Sequence, residues 1–87
     1  MAIVHVIQEN VRGCRSVAFD EHAIERMNER KVSEDEVLDV LRDPTQTGLP
    51  TSPNRLRFRK HIGPNRWIDV VFEEDPTQII VFSVWRK

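Results

Sequence analysis

Residues 20–44 read Asp-Glu-His-Ala-Ile-Glu-Arg-Met-Asn-Glu-Arg-Lys-Val-Ser-Glu-Asp-Glu-Val-Leu-Asp-Val-Leu-Arg-Asp-Pro. The spacing predicts two short helices with a tight joint. In the first, His22, Arg26 and Arg30 recur at i, i+4 and i+8 and form one polar stripe. Ala23, Ile24 and Met27 form the neighbouring apolar stripe, which faces a core. The second helix begins at Ser33, a capping residue with Glu36 three positions on. Val32 before the cap and Val37 at the fourth helical position suit a hydrophobic staple. Val37, Val40 and Leu41 continue the helical period. Pro44 cannot prolong the helix and turns Asp43 away from helical geometry.

Around this pair, 87 residues are enough for one domain spanning 1–87, small but able to bury a core. The single cysteine, Cys14, excludes an intramolecular disulfide and a multi-cysteine metal site. It fits a reducing, cytoplasmic setting. The apolar start, residues 2–8, is too short and interrupted for a membrane span, and it lacks the basic flank of a signal peptide. The net charge of −1 conceals a segregation. Residues 20–43 carry nine acids and four bases, net −5, whereas residues 54–66 carry Arg55, Arg57, Arg59, Lys60 and Arg66 with no acid, net +5. A phosphate backbone would feel that basic segment rather than the average.

Before the helices, residues 1–15 form an N-terminal extension with a β-branched strand at 2–8, and Arg15–Phe19 is a second short extended piece leading to a cap at Asp20. After them, residues 44–54 hold three prolines and a glycine. This loop is longer than most connections, which marks it as mobile or as part of a site. Residues 55–86 then alternate with period two in three runs, an antiparallel meander with short turns. The architecture expected is α+β, order β-α-α-β-β-β, with two helices on one face of an antiparallel sheet. The covered face comprises Leu56, Phe58, Ile62, Ile68, Val70, Phe72, Ile80, Phe82 and Val84. The other displays Arg55, Arg57, Arg59 and His61 beside Trp67 and Trp85.

Alternate residues on a strand stand about 6.6–7 Å apart, close to the spacing of successive phosphates on an extended single strand. Three arginines at that interval, two tryptophans for stacking and Ser83 as a donor make a candidate nucleic-acid face. The competing reading is a solvated strand face whose arginines pair with acidic protein. His22, in the first turn of its helix, is held toward the neutral imidazole by the dipole, the form a general base needs. Arg26 and Arg30 would then hold phosphate. Alternatively His22 is a packing residue, and the arginines pair with Glu21, Glu25 or Glu29. His61, on the arginine face, is an independent candidate base. No glycine-rich phosphate loop or metal-ligand cluster is present in the sequence, so neither metal nor cofactor is expected.

The motif His22-Ala23-x-x-Arg26-Met27-x-x-Arg30, followed by Val32-Ser33-x-x-Glu36-Val37 and the Asp43-Pro44 stop, resembles a bacterial family of small domains of unknown function, number 4258. The resemblance covers residues 18–87. That family is similar to the RelE and BrnT toxins, small ribonucleases with two helices packed on an antiparallel sheet. The resemblance implies a RelE-like scaffold, the toxin of a toxin–antitoxin pair, that cuts RNA by a metal-independent 2′-hydroxyl attack. It carries the roles of His22, Arg26 and Arg30 across and implies a cognate antitoxin. The chain has no tyrosine and ends Ser83-Val84-Trp85-Arg86-Lys87, so no further toxin site residue is matched. Two function classes follow: an RNA-binding, RNA-cleaving protein with His22 as the favoured base, or a non-catalytic domain whose basic strand binds an acidic partner or a second copy in a homodimer.

Overall fold

The computed structural model describes residues 2–87; Met1 of the expected N-terminal segment lies outside the described residues. The chain runs β1 (Ile3–Ile7), β2 (Ser16–Asp20), α1 (Glu21–Arg30), α2 (Glu34–Arg42), β3 (Leu56–Gly63), β4 (Arg66–Glu74) and β5 (Gln78–Arg86). The fold is α+β, with two helices and a five-stranded sheet of order β1-β2-β5-β4-β3.

Both helix starts form as their residues dictate. Asp20 caps α1 by accepting from the His22 N–H, and Lys31 ends it in the left-handed region at φ 55°. Ser33 and Glu36 complete a reciprocal capping box on α2. Val32 and Val37, which flank that cap, are both buried in the main core.

Two expectations about the sheet are corrected. The sheet is mixed, because β5 inserts between β2 and β4 and runs parallel to β2. The short piece before α1 is a full interior strand, so the order is β-β-α-α-β-β-β. Parallel pairing needs a long crossover, and the two helices with the meander supply it. A turn-by-turn reading sees only the antiparallel neighbours.

The covered face is the second correction. Phe58, Ile68, Val70, Phe72 and Val84 lie in the main core with Val17, Phe19, Ala23, Met27, Val37, Val40 and Leu41. Ile80 and Phe82 do not. Val71 pairs with Ser83 and Phe72 with Val81, so Phe82 is the extra residue of a bulge. The bulge switches the alternation mid-strand. Ile79 and Val81 therefore enter the main core, while Ile80 and Phe82 join Ala18 in a smaller cluster. Leu56 and Ile62 are exposed, since β3 is the edge strand and the helices do not cover its ends. Among the described residues no helix is long and apolar enough to cross a membrane.

Candidate nucleic-acid interface

The basic strand lies where its alternation puts it. Arg57 and Arg59 occupy the same side of β3, and across the hairpin Arg59 stands opposite Asp69 of β4. Asp69 is fully buried, and both guanidiniums converge on it. Arg57 donates through Nε and Nη2 to Oδ2 at 2.9 and 2.7 Å. Arg59 donates through Nε to Oδ1 at 2.7 Å and through Nη2 to Oδ2 at 3.0 Å. Its bonds to Asp69 hold Arg59 firmly in the charged form. A carboxylate inside a sheet is costly unless several charge-assisted bonds satisfy it, and two forked donors do so here.

The cations on this face also lie over aromatic rings. The Arg59 guanidinium is 4.4 Å from the Trp67 centroid and the Lys87 ammonium 4.6 Å. His61 meets Trp67 edge-on at 5.8 Å. Arg55 lies 4.0 Å over Phe82 and only 3.9 Å from Glu73, a loose ion pair. Trp85 is 49% exposed, with Arg30 placed 4.0 Å over its ring. Arg30 arrives from the helix layer: β2 pairs with β5 only as far as Val81, and Arg30 reaches the open edge beyond to donate to the Val84 carbonyl at 3.0 Å. Ser83 sits half-buried at the bulge. The face thus gathers Arg30, Arg55, Arg57, Arg59 and Lys87 against two acids, Asp69 and Glu73.

The helix motif does not form one site with this face. His22 is exposed in the first turn of α1, and its backbone N–H is taken by Asp20. Arg26 closes on Glu29, with Nη1 at 3.0 and 2.9 Å from the two carboxylate oxygens. Arg30 turns to the sheet edge. The i, i+4, i+8 spacing sets up a shared stripe, yet each member finds a different partner. His61 is the histidine that the fold puts beside the arginines and Trp67.

The long loop is tied down. The Thr45 and Gln46 N–H groups donate to the Arg59 carbonyl, the Arg59 N–H donates to Gln46, and the Thr45 hydroxyl accepts from the His61 N–H. Residues 45–49 thereby cover the outer edge of β3, one of the ways proteins blunt a free strand.

Two features carry weight that residue patterns alone did not assign. One is Asp69, an acid set between Trp67-Ile68 and Val70-Val71-Phe72 in the middle of β4. Counting back from the Gly63–Asn65 turn places it within one residue of Arg59, which is the signal that was available. The other is a cleft of about 460 Å³ between β1 and the helices, lined by Val4, His5, Ile24, Met27, Asn28, Val32, Ser33 and Glu34. In it, His5 Nε2 approaches Glu34 Oε1 at 2.5 Å without hydrogen-bond geometry, and the imidazole packs on Phe19. Cys14 is buried with its Sγ toward the Asp75 carbonyl, and burial, with Glu74 adding to it, pushes the thiol pKa up, away from nucleophilic character. Among the described residues no three histidines, cysteines or acids gather as metal ligands.

Residues 19–86 match the family model described as Domain of unknown function (DUF4258). The chain belongs to this family. No curated relative and no solved structure matches it. The match takes in the end of β2, both helices and the meander, so the arginines of the sheet face and the His22 helix are family elements, while β1, its side of the cleft and most of β2 lie outside the matched span.

Proposed function

We propose that this member of the DUF4258 family binds single-stranded RNA across the open face of β3, β4 and β5. The observation that supports this reading above all is the clamp on Asp69. A guanidinium has five N–H donors in a fixed fork. Arg57 and Arg59 each spend two on Asp69 and keep three, so both are held in place with donors to spare. Ordering a long side chain on binding costs about 0.5–1.5 kcal/mol, and here that ordering precedes the ligand. Trp85, half exposed beside them, offers a stacking surface that accepts any base.

Cleavage, within this proposal, falls to His61 rather than His22. His61 shares the face with the arginines and Trp67, whereas His22 stands in the helix layer with no arginine left free beside it. Kinship with RelE-type toxins remains part of the proposal. Two helices on one sheet face ahead of a three-stranded meander support it, as does the positive face, and an antitoxin would then be the regulating partner.

The test uses labelled single-stranded RNA and fluorescence anisotropy. Arg55→Glu and Trp85→Ala alter exposed groups and should leave the fold intact by circular dichroism. Loss of one stacked base is worth about 1–3 kcal/mol, so Trp85→Ala should weaken binding by roughly 5- to 150-fold. Unchanged RNA affinity in both variants, or equal affinity for polyglutamate in place of RNA by displacement of the same residues, overturns the proposal in favour of an acidic protein partner.

A further inference from the structure

The two edges of the sheet are treated differently. Residues 45–49 cover the β3 edge. The β1 edge is open: among the described residues no backbone hydrogen bond runs from residues 3–7 to anything but β2. An open edge is a template for one more strand, and an added strand takes its specificity from pockets for alternate side chains. What this edge selects is set by the surroundings of its two sides.

The bulge makes those sides unlike. Ile3 pairs with Asp20 and His5 with Phe19, so Val4 is the extra residue. It joins His5 in lining the cleft beneath the helices, as a bulge re-aims a side chain. Val6 falls on the other side, opposite Ala18 of the open-face cluster. Ile3 stands on that side too, opposite Asp20, two residues along β2 from Ala18. Ile3 and Val6 are 39% and 45% exposed, a bare β-branched border.

The helix side instead offers a socket. Ile24, Met27 and Val32 give it an apolar floor, and Glu34 lines it with no lysine or arginine nearby in the lining. The Glu34 side chain is 45% exposed and approaches His5 Nε2, which finds no hydrogen-bond partner among the described residues. An apolar floor beside a wet carboxylate fits an aliphatic stem that ends in a cation, since lysine and arginine bury the stem and keep the head in water. An ammonium also brings three donors, enough for the carboxylate and a neutral imidazole together.

We infer that the β1 edge takes up an extended segment of a partner protein, with a lysine or arginine seated in the cleft against Glu34 and β-branched residues beside Ile3 and Val6. The pattern alternates: a basic residue toward the helices, apolar residues toward the open face. Charge opposes an acid at the cleft position, because it would meet Glu34 in a helical segment, residues 20–43, of net −5. β1 lies outside the span matched to the family, and β3, with its arginines, is at the other end of the sheet. The inference therefore does not depend on RNA binding, and its test contains no RNA.

The probe is an acetylated and amidated peptide, Val-Thr-Val-Lys-Val-Thr-Val, whose lysine falls on one face of a strand and whose valines fall on the other. Isothermal titration against the full chain should show one peptide bound per chain. Norleucine in place of the peptide's lysine keeps the stem and removes the charge, and should weaken binding about fivefold, as for a half-exposed ion pair. Glutamate there should weaken it further. Glu34→Gln should level lysine with norleucine, and Glu34→Lys should invert the order so that the glutamate peptide binds best. Circular dichroism checks that both variants fold. Hydrogen exchange separates strand addition from capture of a side chain alone: the lysine peptide should slow exchange at β1 amides, and butylamine should not. No binding at millimolar peptide, equal affinity for the three peptides, or protection that falls on β3 instead of β1 overturns the inference.

Discussion

Asp69 and its two arginines are unequal partners. The carboxylate is fully buried, while the Arg57 and Arg59 side chains keep 33% and 20% of their surface in water. Removing both arginines leaves a buried charge without partners, which costs about 3–5 kcal/mol. Removing Asp69 leaves two cations that can turn outward, and the loss is nearer that of a charged hydrogen bond, about 1.5–3 kcal/mol. Urea unfolding should therefore rank the double variant Arg57→Ala/Arg59→Ala below Asp69→Ala in stability. The reverse order would mean that the guanidiniums, not the carboxylate, bear the burial. Asp20 gives a prediction in pH. The Ala2 N–H at 2.9 Å, followed by the His22 N–H at 3.0 Å, holds its carboxyl below the usual aspartate range. A depressed folded-state pKa contributes stability that is present above the unfolded value, about 3.9, and is lost as pH falls through the folded value. Asp20→Ala should cost about 0.5–2 kcal/mol at neutral pH. Compared in urea at pH 7 and pH 3, that deficit should shrink in acid.

Among the elements, β5 shows what a local pattern conveys and where it fails. Phe72 is fully buried between the sheet and the helices, so Phe72→Ala should cost about 3–5 kcal/mol, the transfer of the ring plus the cavity left behind. Phe82 lies on the open face under the Arg55 guanidinium. Its space opens to water once the ring is gone, so Phe82→Ala should cost only the transfer, about 1.5–3 kcal/mol. Thermal or urea denaturation of the pair checks the ranking, and equal losses would place Phe82 in the main core. The capped helices, the three meander strands and the faces of β3 and β4 were legible because their signals are local: Ser33 with Glu36, Pro44, and the Arg55–Arg57–Arg59 alternation. The bulge at Phe82 and the parallel seating of β2 on β5 were not. A bulge adds a residue without a distinctive residue type, and strand order depends on contacts between residues some sixty positions apart, such as Val17 with Ile79. The candidate site divides the same way. The arginines and tryptophans were placed by period two, but the clamp on Asp69 needed the hairpin register, and the separation of His22 from His61 needed the layers.

At the scale of the molecule, the charge segregation along the sequence becomes a segregation by layer. Acids dominate the two helices, and some are taken up within the fold: Lys60 reaches Asp39 at 2.9 Å and Asp43 at 3.3 Å, and Arg86 reaches Glu36 at 3.3 Å. The opposite sheet face keeps five cations against two acids and both tryptophans. If His61 serves as a general base there, His61→Gln should lower RNA cleavage by about 10²–10⁴ while His22→Gln leaves it unchanged. The reverse result would return the chemistry to the helix layer. The measurement that bears most directly on RNA binding by this face is the salt dependence of affinity, followed through tryptophan fluorescence between about 50 and 200 mM salt. Each phosphate contact on a single strand contributes a slope of about −0.7 in log affinity against log salt. Arg55, Arg57 and Arg59 together should give about −2, falling by about 0.7 in Arg55→Glu. Affinity that stays flat across that range, with no change in fluorescence, would contradict the assignment of this face to RNA.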